Sequence, residues 1–189
     1  MAMLHRIAAA LLLVVGLAGG ALAQSITAPN GVEAGQYFAL VARVDSFDAA
    51  MKASDMATVM SVIPPKVLNQ IATKYNVTTA QLVEAAQQQI DAAMADIKLV
   101  SFGMDLENSD FYTLPDGTRY ALIPTETVMD LGGGVGKMRA SSTTLGVLDG
   151  PEWYLVRVED PEQVAIFKEV YPAFADVTFP AGKMEPVTE

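Results

Sequence analysis

The chain has 189 residues, 22 acidic against 12 basic side chains, a formal net charge of −10, no cysteine and a single histidine, His5. With no Cys or His after residue 5, the rest of the chain excludes Ser-His-Asp and Cys-His catalysis, zinc sites of the usual ligand types, His-ligated haem, iron–sulfur clusters and disulfides. The acidic balance disfavours nucleic acid and anionic membrane surfaces as partners, and no cofactor is expected.

Met1 to Arg6 carries one firm positive charge, Arg6, and Ile7 to Leu17 is almost wholly apolar. Ala21 and Ala23 are the two small residues a signal peptidase needs just before its cut. The pattern predicts a signal peptide over residues 1–23, cleaved after Ala23. Its apolar run falls short of the roughly 20 residues of a membrane-spanning helix. Residue 24 is Gln, so no cysteine follows the cut to receive a lipid. The expected product is exported and soluble, in a periplasm or outside the cell, with no stable membrane insertion.

Residues 24–34 read as a flexible lead-in, 35–180 as a single domain and 181–189 as a polar tail. From Gly35 to Lys52, Phe38, Val41, Val44, Phe47 and Met51 step by three or four, which predicts a helix. Ser54 could cap a short second helix bearing Met56, Val59, Met60 and Ile63. Pro64-Pro65 ends it, and Pro65 suits the first position of a third helix. That helix carries Val67, Leu68, Ile71 and Tyr75 and stops at Asn76. Thr78 and Gln81 form a capping-box pattern. They open the clearest helix, with Leu82, Ala86, Ile90, Met94 and Ile97 in one stripe.

After Ile97 the period falls to about two. Strands are predicted at Leu99–Leu106, continuing past an irregularity at Asp110–Tyr112, then at 119–131, 137–148 and 153–159. Pro115-Asp116-Gly117, the glycine-rich 132–136 segment and Asp149-Gly150-Pro151 make the turns. Asp160-Pro161-Glu162 starts a last helix that runs to about Val170. Asp176–Phe179 suggests one more short strand. Helices grouped ahead of strands predict an α+β fold: N-terminal helices packed on a curved antiparallel sheet of about four strands, with a short C-terminal helix. The long helices are expected to cover one sheet face.

This order, with Asp149-Gly150-Pro151-Glu152-Trp153-Tyr154-Leu155-Val156-Arg157-Val158 as its best local carrier, resembles the nuclear-transport-factor-2-like superfamily, or cystatin-like cone fold. The resemblance covers roughly Gly35 to Glu159. It implies a helix-covered cone and is shared by isomerases, dehydratases, hydrolases and pure binding modules. Enzyme members commonly use a His-Asp or an Asp-Tyr constellation. The first cannot exist here, and no Asp-Tyr pair is matched on these strands.

Several motifs reduce to plain readings. Gly132 to Lys137 is not a phosphate loop, because Leu131 and Met138 stand where glycine and a hydroxyl are needed. Asp105, Glu107, Asn108, Ser109 and Asp110 lack the turn glycine and closing acid of a calcium loop. Met56 and Met60 belong to an apolar stripe rather than to a copper site. Asn76-Val77-Thr78 matches a glycosylation acceptor and doubles as a helix cap.

Six residues stay as ligand-binding candidates. Glu126, Arg139 and Arg157 are charged residues within strands: they either face a cleft or pair across a solvent face. Tyr112, Tyr120 and Trp153 either line an apolar pocket or fill the core. The resulting expectation is a non-catalytic binding or interaction module. Its partner would be a small apolar ligand in a helix–sheet cleft or an envelope protein, and an open sheet face could also carry a homodimer. The alternatives are a carboxylate-based isomerase or dehydratase, with an acid raised by burial, and a structural envelope protein.

Overall fold

A computed structural model describes residue 29 and residues 32–53, 55–94, 97–133 and 135–187. The predicted signal segment lies outside the described residues. Four helices come first: α1 (Ala34–Ala53), α2 (Met56–Ser61), α3 (Pro65–Lys74) and α4 (Thr79–Met94). The strands β1 (Lys98–Met104), β2 (Asp110–Thr113), β3 (Arg119–Asp130), β4 (Lys137–Asp149) and β5 (Glu152–Arg157) follow. Helix α5 (Pro161–Val170), a 3₁₀ turn (Pro172–Phe174) and β6 (Lys183–Pro186) close the chain. The architecture is the expected α+β one, with helices ahead of an antiparallel sheet and a short helix after it.

The local signals explain the helix ends. Asp55, not Ser54, caps α2: its side chain accepts from the Thr58 amide. Pro65 opens α3, where a missing N–H costs nothing. Asn76 ends the turn after α3 at φ 53°, a left-handed conformation that asparagine tolerates well. The Thr78–Gln81 box forms in full. The Thr78 amide donates to Gln81 Oε1 at 2.9 Å, and the Gln81 amide donates to Thr78 Oγ1 at 3.2 Å. Asp160 caps α5 through the amides of Glu162 and Gln163.

The sheet has six strands but is only four positions wide. The long β3 and β4 pair along their whole length, from Tyr120↔Val147 to Asp130↔Lys137. β1 and β2 lie end to end along the outer edge of β3. β5 and β6 do the same along β4. Asp110–Thr113 is thus a separate strand rather than an extension of β1. The residue Val100, passed over where the β1 register shifts, is exposed.

Both faces of the sheet are buried over the first half of β3. On one face Ala121, Ile123, Trp153 and Leu155 pack against Leu40 and Val44 of α1 and Val62 after α2. On the other face Tyr120, Leu145, Val147 and Val156 meet Val67 of α3, Ile166 and Phe167 of α5, and Phe174. The chain passes between the two faces at Pro64-Pro65. There the Val62 carbonyl accepts from the Leu155 amide and ties the helices to β5.

Three expectations need correction. The stripe-bearing helix α4 does not supply the sheet's cover: none of its described side chains belongs to either core cluster, and α1 packs on β1 and β5 instead. On α1 the buried side chains are Tyr37, Leu40, Val44 and Ala50, so the inward face is rotated away from Phe38, which is 49% exposed. Asp176–Phe179 forms no strand. Val177 and Phe179 are held against the Phe167–Phe174 cluster, and the strand lies later, in the predicted tail, where Lys183–Pro186 pairs with β4. No helix among the described residues is long and apolar enough to cross a membrane.

Candidate functional site

The two-sided core leaves a small cleft where the start of α1 meets the ends of β2, β3 and β5. Its volume is about 120 Å³, and Tyr112, Tyr120 and Trp153 line it together with Phe111, Arg119 and the segment leading into α1. The floor is rigid. Trp153 is 2% exposed and Tyr120 is 7% exposed. Trp153 Nε1 donates to the Gln36 carbonyl at 2.8 Å, which locks the indole under the first turn of α1. Tyr120 is pinned from below by Phe174, with ring centroids 5.1 Å apart.

The wall is built by register. Tyr112 and Tyr120 are directly opposed across β2 and β3, and their rings stack with centroids 5.0 Å apart at 19°. Tyr112 is the outer ring and is 44% exposed. Phe111 points the other way and packs edge-on against Tyr37 of α1 at 5.8 Å. Burial, with a smaller effect from Tyr112, pushes the Tyr120 hydroxyl above its ordinary range, so it stays protonated at neutral pH. Arg119, which opens β3, is the cleft's one cation. Its Nη1 donates to Gln36 Oε1, so a single residue of α1 holds both Trp153 and Arg119.

Of the six candidates, the structure brings Tyr112, Tyr120 and Trp153 together here and sends the other three elsewhere. Glu126 and Arg139 form a cross-strand ion pair at 3.1 Å near the far end of the sheet. Arg157 Nη2 pairs with Glu159 at 2.8 Å beyond the end of β5. Both pairs are at least partly exposed and read as surface charge pairing rather than as a site. Arg119 and Gln36 were missed. Arg119 follows a turn directly, a position that reads as solvated, and nothing in the local pattern links it to Gln36 on a helix 83 residues away.

A second, larger groove of about 510 Å³ runs between α2 and α4. It is bordered by Ala57, Ala80, Val83, Glu84, Gln87 and Gln88. It lacks aromatic walls and stands apart from the sheet. Among the described residues one acid has its carboxyl raised by burial: Asp48 of α1, with Lys52 opposing and Asp45 adding to the effect. Its Oδ1 is buried without a hydrogen-bond partner. Asp48 lines neither cavity. No group of three or more metal-ligating side chains converges among the described residues. No family model matches the chain, and neither a curated protein nor a solved structure resembles it significantly.

Proposed function

We propose that this chain is an exported, soluble, non-catalytic binding module that holds a small, largely apolar ligand in the Tyr112–Tyr120–Trp153 cleft. The convergence of three aromatic rings from three different strands on one cavity supports this reading. The remainder is a set of consistent features. The lining contains no carboxylate, so a general base is lacking where a substrate would sit. Among the described residues the one carboxyl raised by burial, on Asp48, borders neither cavity. Export rests on the charged start, apolar run and small-residue cut site of residues 1–23.

The experiment follows from composition. The chain has one tryptophan, and it lines the cleft, so tryptophan emission, excited at wavelengths that tyrosine does not absorb, reports on this site. Titration of residues 24–189 with isobutanol and isobutyramide is expected to give a saturable change in Trp153 emission and a rise in Tm. Tyr112→Ala, which removes a half-exposed wall and its stacking on Tyr120, is expected to weaken that response about tenfold. The absence of any saturable change, with neutral or charged small probes, overturns the reading.

A further inference from the structure

Of the four described arginines, three have an acidic partner. Arg43 pairs with Glu152 at 3.4 Å, Arg139 with Glu126 at 3.1 Å and Arg157 with Glu159 at 2.8 Å. Arg119 is the exception: among the described residues it has no acidic partner, although the chain carries ten more negative than positive charges. It is also partly buried, in a cleft walled by aromatic rings. A partly desolvated guanidinium without a counter-ion is costly, and an arginine with no structural role would ordinarily extend into water.

This arginine is held in place. Gln36 accepts from Nη1, and the Gln36 backbone is itself tied to Trp153. The Nε–H and the Nη2–H groups make no hydrogen bond among the described residues, and this edge of a guanidinium matches the two oxygens of a carboxylate. That edge favours a negative charge.

Resting on the binding reading above, we infer that the ligand is a small monocarboxylate. Its carboxylate sits on Arg119 and its short apolar body lies against Tyr112, Tyr120 and Trp153. The size follows from the cavity. A volume of about 120 Å³ is far below the several hundred Å³ of pockets for drug-sized ligands, so the cleft encloses a body of a few carbons. An apolar surface this small gives a modest affinity, with Kd on the order of millimolar.

The test compares isobutyrate with isobutyramide, the same shape with and without the charge, by Trp153 fluorescence at constant ionic strength. Isobutyrate is expected to bind about tenfold tighter or better, as a charge-assisted hydrogen bond provides. Arg119→Gln is expected to reduce the preference for isobutyrate over isobutyramide to within about twofold, and Arg119→Lys to restore part of it. Equal binding of acid and amide in the unaltered chain overturns the inference and leaves the cleft reading intact. So does a preference that survives in Arg119→Gln. If neither probe binds the unaltered chain, the cleft reading itself is lost. The comparison in the unaltered chain decides the matter even where Arg119→Gln fails to fold.

Discussion

Asp149 stands at the first corner of the β4–β5 turn and gathers two donors from two different helical segments. Lys66 of α3 approaches at 2.8 Å, and the Tyr171 hydroxyl, just past α5, donates at 2.8 Å. Burial alone would push the Asp149 carboxyl up, but the hydrogen bonds from Lys66 and Tyr171 and the charge of Lys66 outweigh it and hold the group below its usual range. The same contact works in reverse on Tyr171, whose hydroxyl is raised well above 10, first by burial and then by Asp149. The two signs define a window. A depressed carboxyl adds stability above the unfolded carboxylate range, which is lost as pH falls through the folded value. A raised phenol adds stability below about 10, which is lost as pH rises toward the folded value. Tyr171→Phe is therefore expected to lower stability by about 1 kcal/mol at pH 7 and to flatten the alkaline limb of the stability profile, measured by urea unfolding from pH 7 to 11. A mutant whose alkaline limb keeps the parent's slope would show that Tyr171 is not the group responsible. None of this was legible beforehand. Asp149 is visible as a turn residue, but its partners lie 83 and 22 residues away. Glu126 and Arg139 were legible as a choice between a cleft and a charge pair, because alternation alone does not say where along a strand the cover ends.

At the scale of elements, a sequence pattern and its energetic weight come apart most clearly in α4. Its stripe and capping box read cleanly because both are local: 3.6-residue spacing and a contact three residues long. Yet Leu82, Ala86 and Ile90 are only partly buried, whereas Leu40 of α1 is fully buried. Helix α1 is apolar around more of its circumference, so periodicity does not single out the face that the sheet will cover. Leu40→Ala is expected to cost about 3 kcal/mol and Leu82→Ala about 1 kcal/mol or less, because a cavity term arises only where surroundings cannot close. In hydrogen exchange, α4 amides are expected to exchange faster than those of α1 and β3. Equal protection of α1 and α4 would mean that α4 is fixed by contacts beyond α3. The strand β6 was illegible for the opposite reason. Lys183-Met184-Glu185-Pro186 has no strand pattern of its own and pairs because β5 leaves the 138–141 end of β4 without a neighbour. Residues 176–179 have the alternation of a strand, but Val177 and Phe179 pack on the Phe167–Phe174 cluster instead.

Across the whole molecule, the sheet works as a partition. The α1 side and the α5 side each have a separate cluster, and each is built from alternate residues of the same strands: Ala121, Ile123 and Leu155 on one side, Tyr120, Leu145 and Val156 on the other. The class of fold was readable because helical periods precede strand periods along the chain. The two-sidedness was not, because strands buried on both faces lose the polar alternation that marks a solvent side. The cleft is a consequence of the partition. It opens at the sheet end where the α1 cover begins and the Phe174 layer stops, so its floor takes Trp153 from one side and Tyr120 from the other. If the backbone of β3, β4 and β5 couples the clusters into one cooperative unit, each side should fail only with the other. Val44→Ala and Ile166→Val, one on each side, are expected to lower the midpoint of a single unfolding transition, with costs of about 2 and 1 kcal/mol. The double mutant should equal the sum within about 0.5 kcal/mol, since the two side chains share no neighbour across the sheet. Tyrosine and tryptophan signals weight the two sides differently, because Trp153 belongs to the α1 cluster whereas Tyr120, Tyr154 and Tyr171 lie in or against the α5 cluster. Coincident urea curves from the two probes would establish the single unit. Separated midpoints would mean that each face of the sheet melts on its own, and the cleft, which draws its floor from both, would be lost at the lower of the two.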